Sequence, residues 1–117
     1  MHFSVTTPEA RRIRASGNCI RKGTVNVRFL PSPEYRYSVV VSKAQGNAVA
    51  RNRLKRCIRE MLRLGETNFP NGLFLVFYRG MCSEYSQIRV ERDLTAAMQD
   101  IAKTDYTHEQ DTVTPFT

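Results

Sequence analysis

Three consecutive stretches between Tyr35 and Tyr78 limit what this chain can become. Residues 35–42 carry Val39-Val40-Val41, residues 47–63 repeat apolar side chains at the helical period, and residues 73–78 form an unbroken apolar run. The last run is too short for a helix and is bounded by Gly72 and Gly80, so it reads as a buried strand. The valine run predicts a strand buried on both faces. Strand, helix and buried strand in succession read as a βαβ unit.

The helix is punctuated at both ends. Gly46 breaks the preceding strand, and Asn47 is an N-cap whose side chain can accept an orphan backbone N–H. Ala50, Leu54, Ile58 and Met61, flanked by Cys57 and Leu62, make one apolar stripe. Gly65 stands at the C-terminal stop, with Arg63 complementing the helix dipole in the last turn.

The opposite side of this helix is cationic. Arg51, Arg53, Lys55, Arg56, Arg59 and Arg63 are opposed only by Glu60. At the helical period Asn52, Arg56, Arg59 and Arg63 centre outward, Arg53 and Lys55 flank them, and Arg51 lies nearer the apolar stripe. Solvated faces usually mix signs, because like charges one turn apart repel. A polyanion relieves that repulsion, so the helix reads as a phosphate-binding surface. The whole chain agrees: it has 18 Lys and Arg against 11 Asp and Glu, and a sequence pI near 9.8.

The remaining segments fill out one domain over residues 1–103, a length that supports a single modest core. Thr7-Pro8-Glu9 opens a short helix over residues 8–16, with Thr7 as its N-cap. Ile13 is its one large apolar residue, so weak packing is expected. Residues 19–21 form a short first strand. Residues 24–30 alternate, with Val25, Val27 and Phe29 on one side and Asn26 and Arg28 on the other. Ser86 caps a last helix over residues 87–103, with Val90, Leu94, Ala97 and Ile101 inward. Residues 104–117 lack periodicity and read as a disordered tail, acidic and without Lys or Arg.

Compartment follows from what is missing. No apolar run approaches the ~20 residues of a membrane span, and the N-terminus has no secretory pattern. Cys19, Cys57 and Cys82 are odd in number and widely spaced, as reduced thiols are. A cytoplasmic protein, monomeric when alone, is expected.

Catalytic groups are also scarce. His2 and His108 lie near the ends, in segments expected to be mobile. Asp93 and Asp100, seven residues apart on the last helix, read as a solvated face rather than a metal site. Ser42 beside Lys43 has no acid or His placed to complete a nucleophile, and no Gly-rich loop with Lys offers a nucleotide site. The residues describe a binding protein with no catalytic residue of its own and no tightly bound metal.

At this point a resemblance emerges. Val41-Ser42-Lys43-x-x-Gly46-Asn47-Ala48-Val49-x-Arg51-Asn52-Arg53-x-Lys55-Arg56-x-x-Arg59-Glu60 resembles the signature of the bacterial ribonuclease P protein family. The looser likeness runs from about Thr7 to Lys103. It implies an α+β domain ordered α-β-β-β-α-β-α, with a four-stranded sheet and a left-handed crossover through the basic helix. It also implies an endoribonuclease whose catalytic subunit is an RNA, holding the Mg2+ that activates water to remove the 5′ leader of precursor tRNA. The protein subunit then binds the catalytic RNA through positions matching Ser42, Lys43, Asn47, Arg51, Asn52, Arg53, Lys55, Arg56 and Arg59.

The resemblance further implies a cleft for the 5′ leader between the first helix and the sheet. Alignment back from Gly17 puts Ala10 and Arg14 where the family often has aromatics. Gapless alignment forward puts Arg28 at a common aromatic position on the strand. Guanidinium planes can stack and pair with phosphate in their place. Phe29 restores an aromatic if the strand slips by one residue, which swaps faces. Three other readings compete: a general RNA chaperone or ribosome-associated module, a DNA-binding helix, and a stand-alone metal nuclease, the last weakened by the missing His and carboxylate cluster. The first does not require the Ser-Lys…Gly-Asn loop, and the second usually pairs its reading helix with another helix.

Overall fold

The computed structural model describes residues 4–104. In chain order its elements are α1 (Thr7–Ser16), β1 (Asn18–Lys22), β2 (Val25–Leu30), β3 (Tyr35–Val40), α2 (Ala48–Leu64), β4 (Gly72–Tyr78) and α3 (Gln87–Thr104). This is the expected α-β-β-β-α-β-α succession. Strands lie in the order β1-β2-β4-β3. β1 with β2 and β2 with β4 are antiparallel, whereas β3 and β4 run parallel, so α2 is the crossover of a βαβ unit. The expected tail lies, apart from Thr104, outside the described residues, as do His2 and His108.

Strand alternation sorts the side chains onto two faces. Val25, Val27 and Phe29 of β2, Tyr35, Tyr37 and Val39 of β3, and Phe74, Val76 and Tyr78 of β4 share the larger core. Leu54, Ile58 and Leu62 of α2 cover them together with Val90, Leu94, Met98 and Ile101 of α3. The Tyr35 hydroxyl donates to the Leu62 carbonyl at 2.6 Å, tying the end of α2 to the sheet. On the other face, Leu73 and Leu75 pack against Ile13 of α1. β4 is therefore covered from both sides, as its apolar run requires.

β3 departs from expectation. Val39 and Val41 are buried but Val40 is only half-buried, because α1 packs on β2 and β4 and leaves this edge strand partly open. The start of α1 also shifts by one residue, since Thr6 rather than Thr7 is the N-cap. Its hydroxyl accepts from the Glu9 N–H at 3.3 Å, and the Glu9 carboxylate accepts from the Thr6 N–H at 2.9 Å. That reciprocal pair is a capping box. Nor is the docking of α1 weak, because Ile13 has no exposed surface at all.

Asp93 and Asp100 do not form a solvated face. Asp93 is 8% exposed, and one of its oxygens accepts from both the N–H and the hydroxyl of Thr24, each at 2.8 Å. Asp100 pairs with Lys22 at 2.7 Å. Both aspartates pin the β1–β2 turn to α3. Gly23 in that turn has φ 51°, and a Cβ there would stand 2.4 Å from the Asp93 carboxylate, so only glycine fits.

Burial pushes the Asp93 carboxyl up, but the hydrogen bonds from Thr24 and the neighbouring Arg92 outweigh it and leave it below the ordinary 3.8. A depressed carboxyl stabilises the fold above its unfolded pKa, and that contribution is lost as pH falls through the folded value. Asp93→Ala is expected to cost about 1.5–3 kcal/mol at neutral pH, the usual range for a charged hydrogen-bond partner. Urea melts of both proteins from pH 7 to 3 check this. The gap should hold down to about pH 4 and narrow below it, and a gap independent of pH throughout would contradict the assignment.

Candidate nucleic-acid interface

Two cationic surfaces stand on opposite faces of the sheet. The first is built on α2 and the loop before it. Asn47 caps α2 by accepting the Ala50 N–H at 2.8 Å, which leaves its Nδ2 without a bond among the described residues. With Leu54, Ile58 and Leu62 turned inward, Asn52, Arg53, Arg56 and Arg59 are exposed, while Arg51 and Lys55 are half-buried along the edges. Arg51 Nε donates to the Gly46 carbonyl at 3.0 Å, so its guanidinium is held over the loop that carries exposed Ser42 and Lys43. Arg63 differs from the other arginines because both its Nε and Nη2 engage the Glu60 carboxylate.

The second surface lies between α1 and the sheet. Ala10 packs against the cluster of Ile13, Leu73 and Leu75, as Phe77 does. The Arg14 guanidinium sits over the Phe77 ring at 5.8 Å from its centroid, and Arg28 Nη2 donates to the Arg14 carbonyl at 3.1 Å. Arg28 Nε is shielded from solvent and has no hydrogen-bond partner among the described residues. Arg14 and Arg28 are thus brought together beside Phe77, with Ala10 one turn before Arg14 on α1.

Phe29 is not among them. Antiparallel pairing of β2 sets Phe29 opposite Phe74 and Arg28 opposite Leu75, and the two neighbours point to opposite faces. Phe29 is 2% exposed, and its ring lies 6.2 Å from Phe74 in the larger core. The aromatic on this face is instead Phe77, paired with Asn26 and half-buried. Nothing in an unbroken run of apolar residues marks one of them as partly open. The available clue was parity, since Phe77 alternates with Val76 and Tyr78 and shares a face with Leu73 and Leu75.

Among the described residues no group of three or more His, Cys, Asp or Glu is placed to hold a metal ion, and no helix is long and apolar enough to cross a membrane. Fold and surfaces together define a class: a small α+β domain offering a cationic surface on each face of one mixed sheet. Residues 5–102 match the family model described as Ribonuclease P, and the chain belongs to that family.

Similar curated proteins carry the name "Ribonuclease P protein component". That of Coprothermobacter proteolyticus is 40% identical over 68 residues, covering 58% of this chain and 57% of the relative. That of Thermus oshimai is 39% identical over 89 residues, covering 76% and 57%. That of Syntrophobacter fumaroxidans is 36% identical over 90 residues, covering 74% and 76%. The aligned part therefore spans little more than half the length of the first two. Among solved structures, the Staphylococcus aureus RNase P protein superposes with TM-score 0.75 at 23% identity, over 88% of this chain and 97% of that one. The Thermotoga maritima RNase P protein gives 0.71 at 24%, over 79% and 90%. These likenesses establish the shared fold.

Proposed function

We propose that this chain is the RNA-binding protein subunit of a ribonuclease P, assisting a catalytic RNA in removing the 5′ leader from precursor tRNA. The observation that carries the reading is the placement of two cationic surfaces on opposite faces of one sheet. A ligand seated on α2 does not obstruct one seated beside α1, so two RNA segments can be held at once. The α2 face, with Ser42, Lys43 and Asn47 beside it, suits phosphates of a folded RNA, since arginine forks hold phosphate bidentately. The α1 face suits a single-stranded leader. Phe77 offers a stacking plane for a base, about 1–3 kcal/mol per base in comparable sites, and Arg14 and Arg28 supply charge for the backbone.

Hydrolysis on this reading belongs to the RNA and the magnesium ions it holds. The chain contributes position and charge. Reconstitution tests the proposal: the protein, the catalytic RNA and a precursor tRNA are combined at low magnesium, with each omitted in turn. Mature 5′ ends should accumulate faster with both subunits than with RNA alone, and the protein alone should leave the precursor intact. Leader release by pure protein, or no acceleration of the RNA, would overturn it. The second outcome favours a general RNA chaperone.

A further inference from the structure

We propose that Gln45 is the positioning residue that holds the Ser42–Lys43 loop in its RNA-binding shape, an inference that rests on the RNA-subunit reading of α2. Gln45 ends the single 3₁₀ turn Lys43–Gln45, between two groups of residues assigned to RNA. Its Oε1 accepts from the Ser42 N–H at 2.8 Å and from the Ser42 hydroxyl at 3.2 Å. Its Nε2 donates to the Tyr78 carbonyl at 2.8 Å and to the Gly80 carbonyl at 2.6 Å. Two lone pairs and two protons are thereby all engaged. The partners also dictate which way the amide points, because an N–H requires the oxygen and two carbonyls require the NH2.

The clamp joins the loop to the end of β4, distant in sequence. Two neighbours complete it. A Cβ at Gly46 would meet the Cys82 Cβ at 3.0 Å, so the loop lies directly against the turn that follows β4. From the other side Arg51 Nε holds the Gly46 carbonyl. Ser42 and Lys43 are thus presented by a loop pinned to β4 and to α2. A loop ordered before binding loses less freedom when it binds. Most of these hydrogen bonds are at exposed positions, where water replaces them if the amide is lost. Gln45 therefore acts on affinity much more than on stability.

The test is titration of the wild type, Gln45→Leu and Gln45→Glu with the catalytic RNA across a salt series, with thermal melts alongside. Gln45→Leu is expected to bind about tenfold more weakly, about 1.4 kcal/mol. Its melting temperature should stay close to the wild type's. Its salt slope should be unchanged where Lys43 still reaches its phosphate, because that slope counts phosphate contacts and Gln45 makes none. Gln45→Glu sets a carboxylate against two carbonyl oxygens. It should bind weakly at pH 8 and recover relative to the wild type towards pH 5.5, where a protonated carboxyl can donate again.

Should Gln45→Leu not fold, the recovery of Gln45→Glu decides alone. Wild-type affinity in Gln45→Leu overturns the inference while leaving the RNA reading intact, whereas weaker binding with a slope flattened by about one contact means that the loosened loop no longer brings Lys43 to a phosphate, which also supports it. Lack of the relative recovery in Gln45→Glu also overturns it. A wild-type protein that ignores the RNA overturns the reading of α2 and this inference with it.

Discussion

With Arg53 replaced by alanine, the protein is expected to bind the catalytic RNA roughly 5- to 30-fold more weakly, a loss of about 1–2 kcal/mol. The plot of log affinity against log salt should flatten by about 0.7–0.9, the release of counterions from one phosphate contact. Arg53 is exposed on α2, flanking its outward centre, so its removal should leave thermal stability nearly unchanged. Arg63→Ala is the internal comparison. Its guanidinium already engages Glu60, so a smaller loss and a smaller change of slope are expected. Arg51→Ala should lose stability as well as affinity, because Arg51 is half-buried and bonded to Gly46. Binding isotherms for the three variants across a salt series, with melts, separate these outcomes. Wild-type affinity and slope in Arg53→Ala would make the basic face mere solvated surface.

Ile13→Ala carries the largest expected loss of stability with a functional consequence. Ile13 is completely buried and is the large apolar anchor of α1, against Leu73 and Leu75. Truncating a buried isoleucine costs about 2–5 kcal/mol, against a total of about 5–15 kcal/mol for a domain. The loss should fall on α1 first, since the larger core lies beyond the sheet and does not include Ile13. Loosening α1 spreads Arg14 from Phe77 and Arg28. Affinity of the reconstituted enzyme for leader-bearing precursor should therefore fall while affinity for mature tRNA hardly changes. Binding of the catalytic RNA through α2 should persist at temperatures where the variant is folded. Equal losses for precursor and mature tRNA would remove α1 from the leader path.

Some of this was legible because it is local. The helix at Asn47, its stop at Gly65 and its cationic face follow from spacing, caps and charge, each decided within a few residues. The Ser42 to Glu60 run was recognisable for the same reason: its residues are consecutive on one loop and one helix. Strand parity puts Arg28 on the side of β2 away from Val27 and Phe29, whereas its grouping with Ala10 and Arg14 rests on the family resemblance. Which aromatic shares that face is not a local matter: Phe29 would join it only if β2 slipped by one residue, and pairing with β4 fixes the register that turns Phe29 to the core.

The sequence by itself thus determined the order of elements, the βαβ unit and the charge that α2 presents, since periodicity and capping need no knowledge of distant neighbours. Only the tertiary structure decided what depends on pairing across the chain. Phe29 goes to the core and Phe77 to the α1 face because β2 meets β4 in one register. Asp93 is a buried anchor because α3 lies over the β1–β2 turn, 69 residues from Thr24 in sequence. Gln45 is a clamp because the Tyr78 and Gly80 carbonyls, 33 and 35 residues away, converge on its amide. Hydrogen bonds are short-ranged and directional, so a polar side chain's role is set by the groups that folding brings within about 3 Å of it.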